Sequence, residues 1–217
     1  MSIGLDIGHF KSKVVELNQD GDNVSVVNVG SNRSFNDIKK FDPENMTKAQ
    51  WVANIQDLFQ SLNIKTRNQK NLVSSLIGSS TTIKQIVTLD LGGDELVQSL
   101  EFEAKKHIPL DGTEVIMDHH YIGENEKEPG KIDVLLVATT KNLINQHNQL
   151  INEIGFKKSG IFDATPIALA NLHIFNKGLS EQGTDVIINV GNKSTSIVAY
   201  GKNQDFFTRE LNIAGNH

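Results

Sequence analysis

The chain has 217 residues, with 21 basic and 26 acidic side chains and a net charge of −5. That length makes one large domain or two small ones and buries a core without disulfides or metals. A hydrophobic share of 38% with a charged share of 22% excludes a disordered or fibrous chain, and no apolar run approaches the roughly 18 residues that span a bilayer. Zero cysteines remove disulfides, thiolate metal sites and cysteine nucleophiles, and fit a reducing compartment, here the cytosol. The opening residues Met1 to Ile7 carry no basic leader, unlike a secretory signal. Lys39-Lys40, Lys105-Lys106 and Lys157-Lys158 are isolated basic pairs, so the charge pattern offers no footprint for nucleic acid.

In chain order, Ile3–Ile7, Val14–Leu17 and Val24–Val29 read as strands, the last two joined by Gln19-Asp20-Gly21-Asp22, whose Asp-Gly step signals a hairpin. Ser31 to Glu44 is polar and reads as loop. Thr47-Lys48-Ala49-Gln50 has capping-box form, and Val52, Ile55, Leu58 and Leu62 recur at helical spacing, which predicts a helix over 47–62. Leu72–Ile77 and Ile83–Leu89 are strand candidates. Gly92-Gly93 opens a helix carrying Leu96, Leu100 and Ala104, and Pro109 closes it.

Val115–Tyr121 alternates its faces, and Ile132–Ala138 is apolar enough to be buried on both. Thr140 caps a helix with Leu143, Ile144, His147, Leu150, Ile151 and Ile154 on one side, ended by Gly155 in a left-handed turn. A short strand near 158–162 leads to Pro166 at the start of a helix through Phe175. Strands follow near 185–190, 195–200 and 205–211. The pattern is α/β with mixed strand directions.

The most informative feature is an internal repeat. Ile3-Gly4-Leu5-Asp6-Ile7-Gly8-His9-Phe10-Lys11-Ser12-Lys13-Val14-Val15 aligns, 183 residues apart, with Val186-Ile187-Ile188-Asn189-Val190-Gly191-Asn192-Lys193-Ser194-Thr195-Ser196-Ile197-Val198. Each copy is a strand ending in Asp or Asn, an apolar residue and Gly, then a polar turn and a second strand. Such hairpins suit phosphate, because glycine lets backbone N–H groups approach an anion and short polar side chains add donors. Asp6 is placed to hold magnesium through water. Either hairpin alone would pass as an ordinary tight turn; the shared register sets the pair apart.

These residues resemble the actin-like ATPase superfamily, in which two ribonuclease H-like lobes each begin with a phosphate hairpin. Within it the sequence resembles the type IV pilus assembly protein PilM family. The resemblance rests on Gly4-Leu5-Asp6-Ile7-Gly8 followed by Lys13-Val14-Val15-Glu16-Leu17, and on the helix Leu100–Lys106 running into His107-Ile108-Pro109. It continues through Glu114–Asp118, Asp133–Ala138, Asp163–Asn171 with Pro166, and Phe207-Thr208-Arg209-Glu210-Leu211. It implies a first lobe from 1–84 with 160–182, an inserted small subdomain at 85–159, and an incomplete second lobe at 183–217.

It further implies ATP and magnesium between the lobes. The binding set would be Asp6, Gly8, His9, Phe10, Lys11, Ser12 and Lys13 with Asn189, Gly191, Asn192, Lys193, Ser194 and Thr195, and Asp6 would be the metal-facing residue. The implied partner is the amino-terminal cytoplasmic peptide of the inner-membrane protein PilN, making the protein a cytoplasmic adaptor tied to the inner membrane through its partner. The related reading is the L-type component of a type II secretion platform; an active actin-like ATPase or sugar kinase is the third.

Two departures bear on chemistry. His9-Phe10-Lys11 replaces small hydroxyl residues and crowds the first hairpin. Asn189 replaces an aspartate, and an amide carries no charge to assist a metal or activate water, so ATP binding is expected ahead of efficient hydrolysis. Thr195 keeps a hydroxyl, and Lys11 and Lys193 bring compensating positive charge.

Other sites have bland readings. His119 and His120 point to opposite faces of one strand and cannot share a metal, His147 reads as a packing residue, and the stripe Leu96, Leu100, Ala104 reads as core. No Gly-x-Ser-x-Gly elbow or Walker lysine loop occurs. The sequence stops soon after its second hairpin, so the three terminal strands are expected to lack covering helices and this chain to bind ATP weakly or not at all.

Overall fold

The computed structural model describes residues 1–34, 47–68, 71–76, 81–107, 114–156, 160–202 and 204–215. In chain order the elements are β1 (Ser2–Ile7), β2 (Lys11–Asp20), β3 (Asn23–Arg33), α1 (Lys48–Ser61), β4 (Leu72–Leu76), β5 (Thr82–Leu89), α2 (Gly93–His107), β6 (Val115–Glu124), β7 (Lys131–Thr140), α3 (Lys141–Ile154), β8 (Ile161–Ala164), α4 (Thr165–Lys177), β9 (Asp185–Val190), β10 (Thr195–Gly201) and β11 (Gln204–Leu211).

Local chemistry accounts for the ends of these elements. The capping box forms as read: the Thr47 hydroxyl accepts from the Gln50 N–H, and the Gln50 side-chain oxygen accepts from the Thr47 N–H at 2.8 Å. Two free helix-end donors are thereby satisfied. Thr140 accepts from the Leu143 N–H to start α3, and Gly155 ends it at φ 118°, a left-handed geometry that glycine alone enters at no steric cost. Pro166 sits in the first turn of α4, where its missing N–H has no intrahelical partner to lose.

Among the described residues the strands form three sheets. A 5-stranded sheet has the order β3-β2-β1-β4-β8, with β4 and β8 parallel to β1; two 3-stranded sheets, β5-β7-β6 and β11-β10-β9, are antiparallel. Ile3, Leu5 and Val14 of the large sheet pack with Ile55, Leu58 and Phe59 of α1 and Ile151 and Ile154 of α3. Leu100 and Ala104 of α2 cover Ile132, Val134, Leu136 and Ala138 of β7. Ala170 and Ile174 of α4 pack on Val198 and Tyr200 of β10, and α4 also contacts β4 and β8. It therefore lies between the two sheets that carry the repeat.

Several expectations change. β7 is fully buried on one face only, since Ile132, Val134 and Leu136 are sealed while Asp133, Leu135 and Val137 are partly exposed. The strand expected at 158–162 lies instead at Ile161–Ala164, its early part falling outside the described residues. β3 continues to Arg33, into the stretch expected as loop over Ser31–Glu44; residues 35–46 and Pro109 lie outside the described set. The stretch 85–159, expected as one inserted unit, divides between two cores: α2 and β5–β7 form one, while α3 and Phe156 join the first. The terminal strands are not wholly bare, since α4 covers one face of β9–β11.

Candidate functional site

The two hairpins are structural copies as well as sequence copies. In the first, the Gly8 N–H donates to the Lys11 carbonyl at 3.1 Å; in the second, the Gly191 N–H donates to the Ser194 carbonyl at 3.0 Å. Strand pairing sets Asp6 opposite Lys13 and Ile7 opposite Ser12 in one, and Asn189 opposite Ser196 and Val190 opposite Thr195 in the other. Every pair preserves the sequence offset. Both glycines are required by space: a Cβ at Gly8 would lie 2.9 Å from the Lys11 carbonyl oxygen, and one at Gly191 would lie 2.7 Å from that of Ser194.

Asp6 stands at the carboxyl end of β1, the end of a parallel strand at which open α/β sheets receive ligands. Its Oδ2 lies 2.5 Å from the Lys13 ammonium and its Oδ1 accepts from the Ser75 hydroxyl at 2.7 Å. Ser75 pairs in register with Asp163 of β8, which sets Asp6, Ser75 and Asp163 in a row across three neighbouring strand ends. Burial raises the Asp163 carboxyl above its ordinary value, partly offset by a backbone hydrogen bond from Ala164.

The remaining hairpin residues differ in what they offer. Phe10 sits between two cations, 5.9 Å from Lys11 and 6.0 Å from the Arg33 guanidinium. Ser12 is fully buried on the core face beside Val14, so its hydroxyl contributes nothing at the hairpin tip. The Thr195 hydroxyl is committed to the Ile213 carbonyl at 2.6 Å, and the Gly215 N–H donates to the Gly191 carbonyl at 3.0 Å, binding the terminal segment to the second hairpin. His9, Asn192, Lys193 and Ser194 lie at the hairpin tips, and Asn189 faces Ser196.

At the first hairpin the half-exposed Lys13 ammonium lies against Asp6, both of whose carboxylate oxygens are engaged. Among the described residues no group of three or more His, Asp or Glu side chains is placed to hold a metal directly. Ser75 and Asp163 were missed as site residues in the sequence because they join Asp6 through parallel pairing across long separations. The polar pair Ser74-Ser75 inside an apolar strand was the available signal. Ser74, on the other face, is fully buried and lies 3.0 Å from Nε2 of His147.

The arrangement of sheets and hairpins is that of the actin-like ATPases. The protein is similar to a structure from Bacteroides thetaiotaomicron described as having an actin-like ATPase fold and unknown function, with a TM-score of 0.55 at 12% identity, covering 98% of this chain and 70% of that one. The family model described as Type IV pilus assembly protein PilM matches residues 4–217, and the chain belongs to that family. A structure of a PilM-PilN type IV pilus biogenesis complex matches with a TM-score of 0.78 at 18% identity over 99% of this chain, which spans 62% of the matched chain. The cytoplasmic domain of EpsL, an inner-membrane component of the type II secretion system of Vibrio cholerae, matches at 0.56 with 10% identity, over 97% of this chain and 70% of that one. No helix among the described residues is long and apolar enough to cross a membrane.

Proposed function

We propose that the chain is the nucleotide-cradling part of a cytoplasmic adaptor in type IV pilus assembly, which captures the amino-terminal cytoplasmic peptide of an inner-membrane partner of the PilN type. The observation that carries this reading is the family match over residues 4–217. The similar structure is a complex of PilM with PilN, which supports a partner of that kind. In this reading residues 1–84 with 160–182 belong to a first lobe, 85–159 to the insert and 183–217 to the start of a second.

Gly8 and Gly191 would admit the phosphates of ATP, Lys13 would neutralise them, and Asp6 would hold magnesium through water. Magnesium, when bound, supplies further charge neutralisation to the phosphates. Asn189 brings no charge to activate water, so the reading is nucleotide binding without efficient hydrolysis.

The test is fluorescence anisotropy of a labelled peptide comprising the first dozen residues of the inner-membrane pilus partner. Saturable binding by the purified chain is expected; a flat titration removes the adaptor reading. Saturation by the matching peptide of a secretion-platform protein, with none by the pilus peptide, transfers the assignment to type II secretion. Calorimetry with magnesium-ATP, on the wild type and on Asp6→Ala, examines the nucleotide site separately.

A further inference from the structure

β3 is an edge strand among the described residues, and neither charge nor proline guards its edge. From Asn23 to Asn32 it contains no charged residue and no proline, two of the devices that ordinarily keep an edge from pairing with another chain. Val24, Val26, Val27 and Val29 are 43%, 63%, 44% and 72% exposed. Its covered end is the other one, where Gly30 meets Leu58 and Leu62 of the α1 region.

The segment is also nearly its own mirror. Val24-Ser25-Val26-Val27-Asn28-Val29 reads, by chemical type, the same in both directions. Two copies laid edge to edge about a two-fold axis between Val26 and Val27 would set Val24 against Val29, Ser25 against Asn28, and Val26 against Val27. Such an axis stands normal to the sheet, so paired residues must share a face. In a regular strand residues five apart do not.

A β-bulge removes the difficulty. Leu17 pairs with Val26 and Glu16 with Asn28, leaving Val27 as the extra residue. Val24 and Val29 therefore oppose Gln19 and Val15, on one face, while Ser25 and Asn28 oppose Asn18 and Glu16, on the other. Charge agrees as well. The β2–β3 hairpin is acidic at its turn, with Asp20 and Asp22, and basic at its open end, where Lys11 pairs with Arg33. An antiparallel two-fold arrangement brings the acidic turn of each copy toward the basic end of the other.

We infer that the free edge of β3 is a self-association surface, and that its occupant is β3 of a second copy, paired antiparallel about Val26 and Val27. The partner completes main-chain hydrogen bonds and adds a valine ladder on one face. The contact is small and gives a concentration-dependent dimer rather than an obligate one.

The absence of cysteine makes the test clean. In a Val24→Cys/Val29→Cys double variant the two thiols of one chain are roughly 16 Å apart along the strand, too far for an intrachain bond. In the proposed register each faces the other's counterpart at disulfide distance. Oxidation is expected to convert most of this variant to a covalent dimer on a non-reducing gel, while Val24→Cys/Ser31→Cys, in which no two thiols come within disulfide reach in this register, stays monomeric. Sedimentation at roughly 10 to 500 µM should show a wild-type dimer. Val26→Lys, at an exposed position, should shift the association constant at least tenfold weaker with the melting temperature unchanged. A wild type that stays monomeric throughout that range overturns the proposal, as does equal cross-linking of the two cysteine pairs or unchanged association of Val26→Lys.

Discussion

A methyl group at Gly8 would sit 2.9 Å from a backbone carbonyl, and one at Gly191 2.7 Å, distances that force the hairpin itself to move. Gly8→Ala and Gly191→Ala are each expected to cost about 1–3 kcal/mol in urea denaturation. Gly92→Ala, with nothing within 4 Å of its Cβ, should leave the midpoint within experimental scatter, and an equal loss there would remove the steric account. The repeat was legible because each copy writes its turn locally. Asp163 and Ser75 were not, since only parallel pairing brings them to Asp6. A second residue makes a pH prediction. Burial lowers the His147 pKa from its ordinary 6.5, with Nε2 3.0 Å from the Ser74 hydroxyl and the ring edge-on to Phe162. The unfolded chain takes up this proton first, so stability is full above pH 6.5 and falls as pH drops through that value toward the lowered folded pKa. Asp163, raised by burial, works in the opposite sense: its penalty is relieved as pH falls through its raised folded value toward the ordinary carboxylate range. His147→Gln keeps hydrogen-bonding reach and should flatten urea midpoints between pH 7 and pH 5. A variant as pH-dependent as the wild type would assign that slope to other groups.

Among the elements, α3 and β5 show why local periodicity does not reveal a neighbour. The helix, its Thr140 cap and its Gly155 stop are written in a few adjacent residues. Its partner α1 lies far back in the chain, so the helical spacing that reveals α3 does not reveal that it packs in the first core. β5 is similar: its strand pattern was evident, but its contact with the edge of β11 was not. There the Gln85 side-chain oxygen accepts from the Phe206 N–H at 2.8 Å, while its amide donates toward Asp133 at 3.3 Å and Asp205 at 3.4 Å. One amide joins the small sheet to the sheet bearing the second hairpin. Gln85→Leu leaves the Phe206 N–H without its acceptor and should cost about 1–3 kcal/mol. Hydrogen exchange should quicken in β11 while β1–β2 keeps its protection; unchanged exchange of β11 would show that the bridge is not what holds these edges together.

Across the whole molecule the repeat sets two equivalent sheets in unlike surroundings. Ile3, Leu5 and Val14 correspond by the same offset to Val186, Ile188 and Ile197. The first three are buried under α1 and α3, at 0%, 2% and 2% exposure, whereas Val186, Ile188 and the neighbouring Val190 are 57%, 63% and 65% exposed. Pattern alone could not separate the two sets, because alternating apolar residues report which face a strand offers and not whether anything lies upon it. The difference is measurable. Leu5→Ala removes packed atoms and should cost about 2–5 kcal/mol; Ile188→Ala should change stability by no more than about 0.5 kcal/mol. An environment-sensitive dye should bind the wild type and lose signal with Ile188→Ser, because the bare face is a contiguous apolar surface of the kind that recruits such probes. A loss at Ile188→Ala comparable to that at Leu5→Ala would mean that β9 is covered in solution. The asymmetry between the two copies would then be only apparent, and the second sheet would carry the same packing as the first.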